Sequence, residues 1–111
     1  MKKLNGLLIA GLVVGSITTA AQASQQTSTI AQMFKRDSDG LTYVFLSGSR
    51  SGKPSCAYYD YFIIRDETSN NGKRQLAMLM MAKATGQAIT IIGTGGCTRW
   101  VDGEDINAIS M

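Results

Sequence analysis

Ser69-Asn70-Asn71-Gly72-Lys73-Arg74-Gln75-Leu76-Ala77-Met78-Leu79-Met80-Met81-Ala82-Lys83-Ala84-Thr85-Gly86-Gln87-Ala88-Ile89-Thr90-Ile91-Ile92 is the stretch in which the chain passes from helical to strand patterning. Ser69, Asn70 and Asn71 offer side-chain oxygens to the free amides of a helix start, good helix formers fill residues 72–85, and Gly86 supplies a left-handed stop. Residues 88–92 alternate and are β-branched, which predicts a strand directly after the helix. Leu76 to Ala82 are apolar at seven consecutive positions, so apolar surface wraps around the helix instead of forming one stripe. The domain's own sheet covers one side. The other side either meets a second copy, making Leu76, Met78, Leu79, Met81 and Ala82 an oligomer interface, or sinks between sheet and loops with flexible methionines filling the gaps.

Working outward, residues 30–35 and 41–47 are apolar, aromatic and β-branched, and Arg36-Asp37-Ser38-Asp39-Gly40 between them has hairpin-loop chemistry. Residues 57–64, Ala-Tyr-Tyr-Asp-Tyr-Phe-Ile-Ile, form a third predicted strand. Placing Asp60 on the solvated face with Tyr58 and Phe62 turns Tyr59, Tyr61 and Ile63 toward the core. Residues 105–111 complete the set as a fifth strand. The fold class expected is therefore mainly β (α+β): a five-stranded OB-fold barrel with one helix between strands three and four.

Toward the N-terminus, Met1-Lys2-Lys3, an apolar stretch over residues 4–17 and Ala21-Gln22-Ala23 match the three regions of a secretory signal peptide. Residues 1–23 are expected to be removed, leaving residues 24–111 as a single exported domain, periplasmic or secreted. The apolar stretch is shorter than the roughly 20 residues a membrane span needs. Ser24 to Thr29, rich in Ser, Gln and Thr, reads as a loose remnant ahead of the first strand. Without Lys2 and Lys3, nine of the eleven basic residues remain against eight acidic ones, and the net charge falls from +3 to +1. That gives little support to nucleic-acid binding, which draws on concentrated Lys and Arg.

Export also decides how the two cysteines read. In an oxidising compartment Cys56 and Cys97 have one intrachain pairing, and closing that loop constrains the unfolded chain by roughly 4 kcal/mol in the entropy model. The absence of histidine excludes Ser-His-Asp and Cys-His catalysis, and two cysteines alone cannot complete a zinc site. Asp102, Glu104 and Asp105, or Asp66 and Glu67, read as solvated turn acids. Gly48-Ser49-Arg50-Ser51-Gly52-Lys53 is one residue short of a phosphate loop and is followed by Pro54. No metal, cofactor or enzymatic activity is expected.

Arg99 and Trp100 are the leading binding candidates. Trp100 is the chain's only tryptophan, in the loop between strands four and five, where OB-folds commonly bind ligands. Its indole can stack on the apolar face of a sugar while Arg99 donates to hydroxyls or a carboxylate; equally, Trp100 can cap the barrel end beside the cysteines. Ser49, Arg50 and Lys53 offer further donors, and Tyr58 and Asp60 join them on the solvated face of strand three.

Residues 72–91, followed by a loop carrying Cys97 and Trp100, resemble the helix and fourth strand of the B subunits of subtilase cytotoxin and typhoid toxin, and of small exported bacterial proteins related to them. In that group a helix ends in a short Thr/Ser-Gly-Gln/Lys turn and an alternating strand follows at once; Thr85-Gly86-Gln87 stands at that place here. The resemblance covers the C-terminal half, and the first three strands match by order only. It implies an OB-fold, a pentameric ring with helices lining its pore, and non-enzymatic binding of cell-surface glycans. The chain departs from the group in having one cysteine pair and no secure counterpart of the Ser-rich glycan-contacting segment. Two functions follow as expectations: a glycan- or protein-binding module, or a periplasmic accessory protein that docks on another chain through its apolar helix.

Overall fold

The computed structural model describes residues 23–111; the expected leader lies outside the described residues except for Ala23. The described residues are mainly β with one helix: β1 (Gln25–Ser28), β2 (Ile30–Lys35), β3 (Thr42–Leu46), β4 (Phe62–Ile63), α1 (Asn70–Thr85), β5 (Ile89–Gly93) and β6 (Glu104–Ser110). They build one six-stranded sheet in the order β1-β5-β6-β4-β3-β2, antiparallel except between β4 and β6. This α+β sheet is open, where a closed five-stranded barrel was expected.

The difference begins at the N-terminus. Residues 24–29 are not a loose remnant: Ser24 and Gln26 are buried, and β1 pairs along its whole length with β5, Gln25 opposite Ile92 through Ser28 opposite Ile89. Only Thr29 separates β1 from β2, and a register irregularity follows between Ile30 and Gln32. The bend directs β1 to one edge of the sheet and β2 to the other. Ser47 binds both sides of it, its amide donating to Thr29 O at 2.8 Å and its carbonyl accepting from Gln26 Nε2 at 3.2 Å.

The third strand is also shorter than its composition predicts. Residues 57–59 direct their backbone donors into turns and loop contacts, Ala57 N to Pro54 O at 3.0 Å and Tyr59 N to Asp102 O at 3.3 Å, and Phe62 and Ile63 are the residues that join the ladder. The expected facing needs correction as well. Alternation is present, but Phe62 and Ile64 point into the larger core and Tyr61 and Ile63 into a smaller cluster on the opposite face, while Tyr59 is half exposed. A strand covered on both faces gives no polar-apolar contrast from which to choose the inner one.

The helix forms where its caps predict. Ser69 Oγ accepts from Gly72 N at 2.9 Å, and Gly86 takes φ 69°, a left-handed conformation that costs glycine little. Leu79 and Ala82 are fully buried against Ile30, Val44, Phe62, Ile89, Ile91 and Ile106, with Leu76 packing at the margin. Leu79 and Ala82 thus belong to the domain's own core. Of the positions expected at an oligomer interface, Leu76 and Met78 are half-buried and Met81 is exposed, beside exposed Met80. Among the described residues, no helix is long and apolar enough to cross a membrane.

Candidate binding site

The face of β2, β3 and β4 turned away from α1 carries a continuous strip of aromatic rings. Strand alternation sends Val44 and Leu46 inward and Tyr43 and Phe45 outward, and the β2–β3 register sets Phe34 opposite Tyr43. Those two rings stack at 4.9 Å and 13°. Phe45 meets Phe34 edge-on at 6.2 Å, and Tyr61 lies 5.0 Å from Tyr43 and 5.5 Å from Phe45. Tyr59 then stacks on Tyr61 at 5.8 Å, and Tyr58 stands edge-on to Tyr59 at 4.8 Å. Six of the chain's eight aromatic side chains are thus in one strip outside the main core. Tyr58 is 75% exposed, Tyr59 49% and Phe34 39%; Tyr43 and Phe45 are half-buried, and Tyr61 is buried beneath them.

Polar groups border the strip. Lys53 Nζ bonds Asp60 Oδ1 at 2.8 Å and Tyr58 O at 3.0 Å, so two expected ligand contacts pair with each other beside Tyr58. The Tyr61 hydroxyl donates to the Asp102 carboxylate; burial, then that hydrogen bond, raises the phenol's pKa above its ordinary value. Gly103 passes so close over this ring that a Cβ would lie 2.2 Å from Tyr61 Cε2. The Cys56–Cys97 disulfide forms as expected, with Cα atoms 6.1 Å apart, and ties the connection after β3 to the Trp100 loop.

The Trp100 loop has its own set of partners. The Arg36 guanidinium lies 4.3 Å from the Trp100 ring centroid and also pairs with Asp39. Asp39's carboxyl is held down to about 2, first by Arg36 and then by the Leu41 amide. Arg99 bonds Glu67 at 3.3 Å and donates to Asp39 O at 2.9 Å, so it links three loops. Trp100 remains 37% exposed with one face against Arg36.

Arg50 stands apart from the other expected ligand contacts. Its side chain has no exposed surface: it pairs with fully buried Glu104, donates to the carbonyls of Asp60 and Tyr61, and rests 3.7 Å over the Phe62 ring. This guanidinium faces the interior and is not a surface donor. Burial lowers its pKa, opposed by Glu104. Glu104 and Asp105 are likewise buried, not solvated turn acids; Asp105 accepts from the Thr98 and Arg99 amides at 2.9 and 3.2 Å and so shapes the loop. Ser49 is exposed.

Comparison with family models, curated proteins and solved structures gives no match.

What the site can do therefore follows from its groups. Flat, partly exposed rings beside a Lys53–Asp60 pair and the Arg36–Trp100 stack suit van der Waals contact with a ring-shaped ligand and hydrogen bonding at its edges. Among the described residues, no three His, Cys, Asp or Glu side chains gather as a set of metal ligands. Sequence reading missed Phe34, Tyr43 and Phe45. The signal was available in the alternation of residues 42–46, which puts every second side chain on the outer face.

Proposed function

We propose that this chain is an exported, non-enzymatic binding module that takes a glycan on the aromatic face of β2, β3 and β4. The observation that carries the reading is the unbroken strip from Phe34 to Tyr58 outside the main core, whose rings, except the buried Tyr61 that joins them, remain partly exposed. Sugar rings present apolar C–H faces to aromatic planes, and hydroxyls at their edges suit Lys53, Asp60 and Arg36. Export is supported by the three-part leader pattern of residues 1–23 and by the disulfide. The parallel β4–β6 pair and the antiparallel β1–β5 pair support an OB-type relationship, with β1 and β2 as two halves of one bent strand. Assembly into a ring, as in the toxin B subunits, would add avidity to a weak site.

The test is a glycan array probed with the labelled processed protein, as wild type and as Tyr59→Ala. Specific glycan signals that fall at least ten-fold in Tyr59→Ala are expected. An array without signal, or signals untouched by the substitution, would refute the reading.

A second reading rests on α1. Met80 and Met81 are 57% and 59% exposed on the side away from the sheet, a surface suited to docking on another protein. Light scattering of the processed protein and of Met80→Glu separates the two uses of this surface: a ring predicts a multimer that the glutamate disrupts, whereas docking on another protein predicts a monomer in both.

A further inference from the structure

We propose that cleavage between Ala23 and Ser24 does more than release a leader: it creates an α-ammonium that docks on the buried carboxylate of Glu104. The inference rests on the export reading above. Ser24 is 2% exposed and Glu104 is fully buried, whereas Ala23, on the other side of the scissile bond, is exposed. Ser24 N lies 3.3 Å from Glu104 Oε2, its hydroxyl donates to Oε1, and its carbonyl accepts from Gly93 N at 2.8 Å. The first residue of the processed chain is thus fixed from three directions, at a junction of β1, β5, β6 and the connection after β3.

The ammonium would share Glu104 with the Arg50 guanidinium, taking Oε2 where Arg50 takes Oε1. Arg50 bonds Glu104 Oε1 and, through Nε and Nη2, the Ser24 hydroxyl at 2.9 and 2.6 Å; it also holds the carbonyls of Asp60 and Tyr61. Among the described residues, Oε2 accepts from Ser24 N and from Gly95 N, the latter at 2.8 Å. Asp60, whose carboxylate also acts on Arg50, is paired with Lys53. A peptide amide offers Oε2 one uncharged donor at the long end of the hydrogen-bond range, while an ammonium offers three donors and a full charge. Cleavage adds water across the peptide bond: the C–N bond breaks, the oxygen goes to the Ala23 carbonyl as a carboxylate, and the protons leave Ser24 with an ammonium. An exporting cell's leader peptidase is the catalyst. Before export the chain lacks this ion pair and, in a reducing compartment, the disulfide, so full stability follows processing.

The experiment expresses the full chain in an exporting bacterial host and determines the intact mass of the product. The α-amine is then labelled with acetic anhydride in native buffer and in denaturant. A second full-length chain, carrying Gly-Ser inserted between residues 23 and 24, leaves two extra residues after the same cut while keeping the Arg50–Glu104 pair. The wild-type product should begin at Ser24, label at least ten-fold more slowly when native, and melt about 5 °C above the inserted form, whose amine should label equally in both buffers. A product starting at Ser24 that labels equally fast when native, or melts with the inserted form, overturns the docking. A shortened product with a different first residue overturns the cut site, and a product retaining residues 1–23 overturns the export reading beneath it.

Discussion

The two faces of β2, β3 and β4 are built from alternate residues of the same strands yet differ in chemistry. On the inner face Ile30, Val44, Leu46, Phe62 and Ile64 meet Leu79 and Ala82 of α1 in a mostly aliphatic core. On the outer face Phe34, Tyr43, Phe45, Tyr59 and Tyr61 form a ladder of rings, with Leu41 and Ile63 buried among them. Branched aliphatic side chains suit the inner face because a helix closes over it and every gap costs contact. Rings suit a face without such a cover, since each holds a large rigid surface with only two side-chain torsions. The contrast teaches that position on the sheet separates a face that holds the fold together from one that is available for contact.

The largest effect should come from breaking the inner face. Phe62→Ala removes a fully buried ring that also supports Arg50, and chemical denaturation should show a loss of about 4 kcal/mol. An outer-face substitution of similar size, Tyr59→Ala, should cost no more than about 1 kcal/mol because Tyr59 is half exposed. Equal losses would erase the distinction.

Smaller effects sharpen the comparison through pH. Tyr61 is the buried ring of the outer face, and its phenol pKa is raised by burial and by Asp102. Its neutral form therefore contributes stability below the ordinary phenol value of about 10, and that contribution is lost as pH rises through the raised one. In an ultraviolet titration Tyr61 should remain protonated at about pH 11, where a free phenol is mostly ionised, and Tyr61→Phe should remove that late step. At the outer margin, Asp39 is depressed to about 2 by Arg36 and the Leu41 amide. Its contribution is present above the ordinary carboxyl value and lost as pH falls through about 2. Carboxyl chemical shifts should follow that midpoint, and a value near the ordinary one would contradict the Arg36 contact.

Much of the frame was legible in local chemistry. Ser69 and Gly86 bound the helix because capping depends on a few neighbouring residues, and the Cys56–Cys97 pairing had no competitor. Residues 30–35 matched β2 because apolar and aromatic side chains run up to the hairpin loop at residues 36–40. What escaped depends on distant partners. Nothing local in Gln25–Ser28 announces a strand, since β5 supplies the hydrogen bonds. Tyr58 and Tyr59 have strand propensity, but turn contacts and the disulfide at Cys56 hold them out of the ladder. Arg50 reads as a loop cation, and only its meeting with Glu104, 54 residues away, explains its burial. At the site, Tyr58, Lys53 and Asp60 do gather at one border of the strip, whereas Arg99 and Trp100 gather around Arg36 and Asp39, with Arg36 near Tyr43 and Tyr61.

The most direct test of the outer face as the ligand surface is an NMR titration of the processed protein with sialyllactose, observing aromatic and methyl signals together. The account predicts saturable shifts at Phe34, Tyr43, Phe45 and Tyr59, with the Leu79 and Ile91 methyls of the inner core unmoved. Absence of shifts, or shifts centred on the Met80 and Met81 methyls of α1, would contradict it.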